Sequence, residues 1–413
     1  MPEFIRLIQP DQAFKIWMGA VQNVISDIEE IETIHALYRV TANPVISNDF
    51  LPAFDRANVD GFAVRAMDTH GASESLPAYF KGKGEVPMGS APVFNIKEGE
   101  AGLIHTGGMI PAGADAVVML EYTQSLQNGE IEVMKPVAAG ENVLFKGEDV
   151  KPGEEIIEAG VRLRPEEIGG LLALGITNIM VKRIPRVGIL SSGDEIIPPG
   201  ETPKPGQVRD INSYTLGTII EPTGGTPVYY GILPDVPDLL EKKLAEALDC
   251  TDMVLVTAGS SASSRDFTTN VIAKMGKPGV LVHGINIKPG KPTILAVCQG
   301  KPVIGMPGNP VSAVVIAKLF VQPMVKKIGG LSTFPHQLTL KARLTANISS
   351  QAGRDDYIPV RIIASDEGYL AEPIFYKSNL IFTLASADGL LHIPANANGI
   401  AADEFVDILF LRD

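Results

Sequence analysis

From residue 183 to about 330 short apolar runs alternate with amphipathic stretches, and this alternation restricts the fold more than any other feature. VGILSS, TPVYYGIL and DMVLVTAGS read as strands. Each is followed by a helical stretch: Asn212 to Ile220, then PDLLEKKLAEAL, then RDFTTNVIAKMG. VLVHGIN, PTILAV and PVIGMPG follow as apolar runs, and a helix is expected from Pro310 to about Lys327. Strands that are apolar throughout and joined by helices form a parallel sheet covered on both faces. Ligands of such sheets bind beyond the carboxyl ends of the strands.

The remainder has a different texture. At 413 residues the chain exceeds what one core usually serves, so several domains are expected. Asp11 to Ile28 reads as a helix that Asp11 can cap, with Phe14, Trp17, Met18, Val21 and Ile25 at helical spacing. Residues 50–140 are rich in Gly, Pro and short alternating runs such as GEIEVMKPV, which predicts a small β-module. A helical RPEEIGGLLALG lies within 141–182, with Pro165 suited to its first turn. Short alternating strands return over 331–413.

Several function classes are disfavoured. No run approaches the 18 or so apolar residues of a membrane span, and the N-terminus lacks a secretory pattern, so a cytoplasmic protein is expected. The net charge of −13 argues against a general nucleic-acid binder. It leaves room for a small anionic substrate held by local cations and backbone N–H groups. Cys250 and Cys298 are two cysteines in apolar or turn-like contexts, read as ordinary buried thiols. The six histidines show no metal-ligand spacing.

The candidate chemistry sits in loops at the ends of the α/β strands. SSGDE (with Ser192 and Gly193), TAGSSASSRD (with Gly259, Ser260, Ser261 and Ser263) and MPGNPVS (Pro307, Gly308, Asn309, Pro310) are small polar turns on successive strand ends. Each alone is an ordinary turn more often than not; together they converge on one crevice. Asp194, Glu195, Asp235 and Asp266 lie in or beside these loops. Carboxylates at phosphate loops usually hold Mg²⁺. Helix capping would equally explain Asp235 and Asp266, whereas Glu195 is not an obvious cap. Lys288 and Lys291 flank the turn of IKPGKP and would suit an oxyanion, or would simply be solvated. In the β-module Asp60 precedes Gly61, the pattern of an Asp-Gly turn, Thr106 precedes Gly-Gly, and Asp149 is a turn acid.

The blocks NVDGFAVR, TGGMIPAGADAVV, GEDVKPGE, VGILSSGDEI, IKPGKP and GMPGNPVSA stand in an order that resembles the molybdopterin molybdenumtransferases, the MoeA and gephyrin E-domain family, from about residue 11 onwards. The resemblance implies a multidomain α/β plus β fold. An elongated dimerisation domain would comprise 1–49 and 141–182, an inserted β-domain 50–140, a parallel-sheet α/β domain 183–330 and a C-terminal β-barrel 331–413. It implies a homodimer that inserts molybdate or tungstate into adenylylated molybdopterin, releasing AMP with Mg²⁺ assistance, with the pterin adenylyltransferase as a partner. By matching motif positions, Asp60, Thr106, Asp149, Glu195, Asp235 and Asp266 resemble the functional residues, Asp60 and Thr106 acting across the dimer. Lys288, Lys291, Ser312, Arg354 and Ser378 resemble oxyanion positions, and Glu195, Asp235 and Asp266 the Mg²⁺ ligands. The chain departs from the family in the serine-rich 259–266 loop and in Lys377-Ser378-Asn379. A non-catalytic scaffold of the same fold is the competing reading; the retention of Glu195 together with Asp235 favours the enzyme.

Overall fold

The computed structural model describes residues 7–411 except 23, 24, 26, 258–261, 334–337, 376 and 378; at 262–266 it describes the backbone alone. The central sheet has six strands in the spatial order Thr226–Leu233, Arg186–Ser192, Met253–Thr257, Lys301–Met306, Ile294–Cys298, Gly279–His283. The first four are mutually parallel, as the strand–helix alternation requires. The last two are antiparallel additions. The reason lies in the chain itself: only Gln299 and Gly300 separate Ile294–Cys298 from Lys301–Met306, and both have positive φ, 54° and 77°. A two-residue turn of that kind makes a hairpin and leaves no length for a crossover.

Apolar residues fill both faces of this sheet. One face carries Ile189, Leu255 and Ile304 against Leu216 and Phe320. The other carries Leu190, Val254 and Val256 against Leu240 and Leu244. The expected helix from Pro310 onward runs as Pro310–Ile316, a π-helical stretch Ala317–Val321 and Gln322–Ile328.

The N-terminal helix spans Pro10–Ala20, eight residues shorter at its C-terminal end than expected, and Gln9 rather than Asp11 is its N-cap. It also packs where the two-segment assignment did not put it. Ala13, Trp17 and Val21 lie in the α/β core, and the Trp17 indole N–H donates to the Ala296 carbonyl at 2.8 Å. Burying so large a side chain with its one donor satisfied outweighs any pull from the neighbouring segment.

Strands between residues 28 and 57 pair with strands between 143 and 182. Ile28–Glu32 runs antiparallel to Asn178–Lys182, Val45–Ile46 to Glu155–Ile157, and Arg56–Ala57 to Val143–Leu144. Their shared core holds Ala36, Ile157, Leu163, Leu171, Ile179 and Val181. The inserted module is a six-stranded sheet built from Gly61–Val64 through Glu130–Val133. At the C-terminal end Asp355–Ser365, Gly368–Pro373, Thr339–Leu344, Phe405–Phe410 and Gly389–Ile393 pair in that order, and the last pairs back with the first. This closes a five-stranded barrel and removes its edges. No helix among the described residues is long and apolar enough to cross a membrane. Cys298 is buried, and burial pushes its thiol up to about 11; Cys250, expected to be buried, is exposed.

Candidate functional site

The parallel strands deliver their carboxyl ends to one cleft of about 370 Å³. Ser191 and Ser192 line it from one strand end, Thr257 from the next, and Gly308, Asn309 and Pro310 from the loop after Met306. Glu195 enters from the turn after Ser192, and Asn379 reaches in from the barrel side. The turn geometry depends on Gly193, whose φ is 153°: a Cβ there would stand 2.9 Å from the Glu195 carboxylate. Glycine at this position lets Glu195 fold back against its own turn.

Asp235 is held beside the turn. The Ser192 hydroxyl donates to its Oδ1 at 2.7 Å, and its backbone N–H donates to Asp194 Oδ1 at 3.1 Å. Capping does not explain it, because the helix Pro237–Cys250 has Val236 at its N-cap and no side-chain cap bond. Asp266 does not precede its helix either, since that helix begins at Ala262. Gly259, Ser260 and Ser261 lie outside the described residues, as do the side chains of Ser263 and Asp266.

Two residues that the sequence did not mark belong to this cleft. Asn212 opens a helix and ties two loops together, its Nδ2 donating to the Gly308 carbonyl at 2.8 Å. Its Oδ1 is buried without a hydrogen-bond partner among the described residues. Asp210, 5% exposed, accepts from the Ser213 N–H at 3.1 Å. Both sit in RDINS, where an ordinary helix start hides them.

The lysine turn lies at the junction of the α/β sheet and the barrel. Ile287–Lys288 adds as a short parallel strand to the barrel, opposite Asp355 and Asp356. Lys288 and Lys291 are both exposed, while Ile287 packs in the same core as Ile316 of the helix that carries the buried Ser312. Arg354 is near, but its charge is already matched. It makes a two-pronged ion pair with Asp356, Nε to Oδ1 at 2.6 Å and a second N–H to Oδ2 at 3.1 Å. Asp356 is 1% exposed and accepts the Ser350 hydroxyl at 3.0 Å as well. Arg354 therefore neutralises a buried acid, and the two lysines are the freer cations. Ser378 lies outside the described residues.

The other three sequence candidates are elsewhere in the chain. Asp60 is exposed on the inserted sheet, where its Oδ1 accepts the Thr106 N–H at 2.7 Å and the Thr106 hydroxyl at 3.1 Å. The backbone N–H is the larger cause, the hydroxyl the next, and together they hold the Asp60 carboxyl below its ordinary value. His105 Nδ1 stands 3.7 Å from the same oxygen, and its Nε2 meets Glu85 Oε1 at 2.9 Å. An Asp-Gly hairpin turn does not account for Asp60. Gly61 begins a strand, and a Cβ on it would stand 2.0 Å from the Val118 carbonyl. Asp149 is exposed, its backbone N–H donating to the Leu51 carbonyl at 3.0 Å. None of Asp60, Thr106 and Asp149 lines the cleft.

A cleft at the carboxyl edge of a parallel sheet, lined by Glu195 and Asp210 and with Asp235 hydrogen-bonded to its lining Ser192, defines a multidomain α/β protein with a polar ligand site. Comparison with known proteins makes this specific. Residues 8–175 match the MoeA N-terminal region (domain I and II), 188–327 a probable molybdopterin binding domain, and 341–411 the MoeA C-terminal region (domain IV). A putative molybdopterin biosynthesis protein of Methanocaldococcus jannaschii is 34% identical over 93% of this chain and 92% of its own. A molybdopterin molybdenumtransferase of a Nostoc species is 31% identical over 94% and 89%. The crystal structure of a molybdopterin biosynthesis MoeA protein from Pyrococcus horikoshii superposes with a TM-score of 0.85 at 34% identity, covering 98% of this chain and all of that one. The chain belongs to the MoeA family and is a molybdopterin molybdotransferase, an enzyme of molybdenum cofactor biosynthesis.

Proposed function

We propose that the enzyme inserts molybdate, or tungstate, into adenylylated molybdopterin and releases AMP. The observation that carries this reading is the Ser192–Asp235–Asp194 network beside Glu195 at the carboxyl ends of the parallel strands. The phosphates would enter between the Ser192–Glu195 turn and the Gly308–Pro310 loop. Asn212 Oδ1 would accept from a ligand N–H or O–H. Lys288 and Lys291 would hold the oxyanion by charge, since both are compact cations on a turn pinned by Pro289 and Pro292. One water attacks the phosphoanhydride, its oxygen going to one phosphate as the P–O–P bond breaks, and AMP and the pterin monophosphate are freed. The two dithiolene sulfurs then bond to the metal, and their protons leave with one oxide as water.

The donor chemistry of the cleft fits Mg²⁺. Among the described residues no three His, Cys, Asp or Glu side chains converge as a metal cage. Magnesium needs none, because it is commonly bound through one or two carboxylates plus substrate phosphates and water. Glu195 and Asp235 are the residues that would hold it, with Asp266 as a further ligand. When bound, Mg²⁺ would neutralise phosphate charge and polarise the bond to be broken.

Asp60 and Thr106 would complete the site from a second copy of the chain, which is why a homodimer is part of the proposal. Leu172, 38% exposed, and the half-buried Leu174 are available for that interface, whereas Leu171 is fully buried in its own subunit. The deciding measurement is AMP release from adenylylated molybdopterin with and without molybdate. Release that depends on molybdate supports the transferase; equal release without it makes the chain a hydrolase, and none makes it a scaffold.

A further inference from the structure

The inserted module carries a charged cluster whose middle member the proposed chemistry does not use. In its sheet Glu100–Ile104 lies between Gly61–Val64 and Ala78–Glu85. The first neighbour is antiparallel, with Gly61 opposite Ile104, and the second is parallel, with Glu85 opposite Leu103. A residue just past Ile104 therefore has Asp60 on one side and Glu85 on the other. That residue is His105.

A tight turn fixes where the ring starts. The Gly108 N–H donates to the His105 carbonyl at 2.8 Å, and Gly107, at the third position, has φ of 86°. The Gly107 N–H and the Gly108 carbonyl both bond Ala57, which ties the turn to the strand Arg56–Ala57. One turn thus presents both His105 and Thr106 to Asp60.

The contacts to the Asp60 carboxylate are one-sided. The Thr106 N–H, the Thr106 hydroxyl and His105 Nδ1 all address Oδ1. Oδ2 has no partner among the described residues. On its far side the ring is anchored, Nε2 meeting Glu85 Oε1 at 2.9 Å. Asp60 and Glu85 are the charged groups against the ring among the described residues. A neutral imidazole has one N–H. With that N–H given to Glu85, Nδ1 would turn a lone pair toward Asp60 Oδ1. Only the imidazolium suits both carboxylates at once. At 3.7 Å the Asp60 contact is an ion pair and not a hydrogen bond, so it depends on that charge.

We propose that His105, anchored by Glu85, is a positioning residue: as the imidazolium it draws Asp60 Oδ1 onto its own turn and leaves Oδ2 free for the cleft of a second subunit. It acts through Asp60 and touches no reacting atom. The inference rests on the reading that Asp60 completes that cleft, and it adds that the site loses order as the ring loses its proton. The Asp60 and Glu85 side chains are each 55% exposed, so the effect is graded. It amounts to about two- to fivefold in rate, the range of a partly screened ion pair.

The test measures molybdate-dependent AMP release by the full-length protein against pH. It compares the wild type with His105→Gln, His105→Arg, Glu85→Gln and Asp60→Asn, each checked by thermal unfolding. The ratio of wild-type to His105→Gln turnover should be about two- to fivefold at the acid end and fall to one at the alkaline end, where both rings are neutral. His105→Arg, charged at every pH, should exceed His105→Gln at the alkaline end. Glu85→Gln keeps an acceptor for the ring but not its charge, and should lie between the wild type and His105→Gln. Carbon-detected NMR of the Asp60 carboxyl reads the same contact without turnover. Its signal should move in a second step as His105 titrates, and that step should vanish in His105→Gln. With Asp60→Asn nearly inactive, a ratio that does not change with pH would give His105 a merely structural role, overturning the inference and leaving the Asp60 reading intact. Absence of the second NMR step would do the same. A fully active Asp60→Asn would instead remove the Asp60 reading and this inference with it.

Discussion

The cleft at the sheet edge and the Asp60 cluster on the inserted module contrast in how their acids are held. Beside the cleft, Asp235 is fixed by the hydroxyl of the lining Ser192 and by its own N–H to Asp194, and the cleft walls come from three strand ends. On the inserted module, Asp60 is equally well hydrogen-bonded, by Thr106 twice, yet it is exposed and does not line the cleft. On the proposed reading, a carboxylate organised by donors but open to water awaits the cleft of a second subunit. The difference teaches that side chains can be equally well organised by hydrogen bonds and yet differ in enclosure, which is what the proposal of a shared site has to explain.

The largest effect should come from the enclosed half. Glu195→Gln or Asp235→Asn should leave thermal unfolding nearly unchanged and lower turnover by about 2–4 kcal/mol of transition-state stabilisation, roughly 30- to 900-fold. Full rate with an unchanged Mg²⁺ requirement in both variants would make the Asp235 network structural and move the chemistry elsewhere.

The open half is tested by complementation. If Asp60 serves the cleft of a second subunit, Asp60→Asn and Glu195→Gln are each nearly inactive alone. A mixture allowed to exchange subunits then regains about a quarter of wild-type activity, since half the dimers are mixed and each has one intact site. No recovery after verified exchange would place both residues in the same site of one chain. A monomer in light scattering at micromolar concentration would remove the shared site altogether.

The two halves were also unequally legible in the sequence. Strand–helix alternation placed the cleft loops, because a parallel sheet sends every crossover back to the same edge and the carboxyl ends must converge. Seen in that light, Ser192, Glu195 and Gly308–Pro310 were readable without coordinates. The antiparallel edge was not, because a two-residue turn at Gln299–Gly300 is a small signal inside two long apolar runs. Helix Pro10–Ala20 was recognised by its periodicity, but periodicity says which face is buried and not against what; only the Trp17 bond to Ala296 settles that. Asp60 was readable as a turn, and the turn was wrong, since Gly61 is required by the approach of Val118 from a strand more than fifty residues away. His105 and Glu85 had no signal at all, being brought to Asp60 by strand pairing. Arg354 matched a motif position, yet its ion pair with the buried Asp356 could not be foreseen from spacing.

That last point sharpens the lysine assignment, where the expected effect is intermediate. With Arg354 occupied, Lys288→Ala or Lys291→Ala should raise the half-saturating molybdate concentration about tenfold and leave binding of the adenylylated pterin nearly unchanged. Exposed charges are screened, so the wild-type value should itself rise with ionic strength. Sulfate should compete, having the same charge and shape. Titrations of molybdate and tungstate at two salt concentrations check this; an unchanged half-saturation in both variants would pass the role to Arg354 or the serine loop. The unmutated protein in the same titration reports which oxyanion it prefers.

The smallest effect concerns the protonation of Asp60, and it tests whether that cluster is organised before any partner arrives. Its carboxyl lies below the ordinary 3.8, chiefly through the Thr106 N–H, then the Thr106 hydroxyl, with His105 contributing least. A carboxyl whose folded value is lowered binds its proton less readily folded than unfolded. Its contribution to stability is therefore present above about pH 4 and fades as pH falls through the lowered folded value. Thr106→Val removes the hydroxyl and keeps the N–H, so the Asp60 titration should move only part of the way back toward 3.8. His105→Gln, which removes a charge 3.7 Å away, should move it less. Carbon-detected NMR of the Asp60 carboxyl in the isolated protein reads all three directly. Return to the ordinary value in Thr106→Val would mean that the N–H bond does not survive alone. An Asp60 already ordinary in the wild type would mean that the cluster forms only on assembly, and the contrast between the two halves of the site would then lie in order as well as in enclosure.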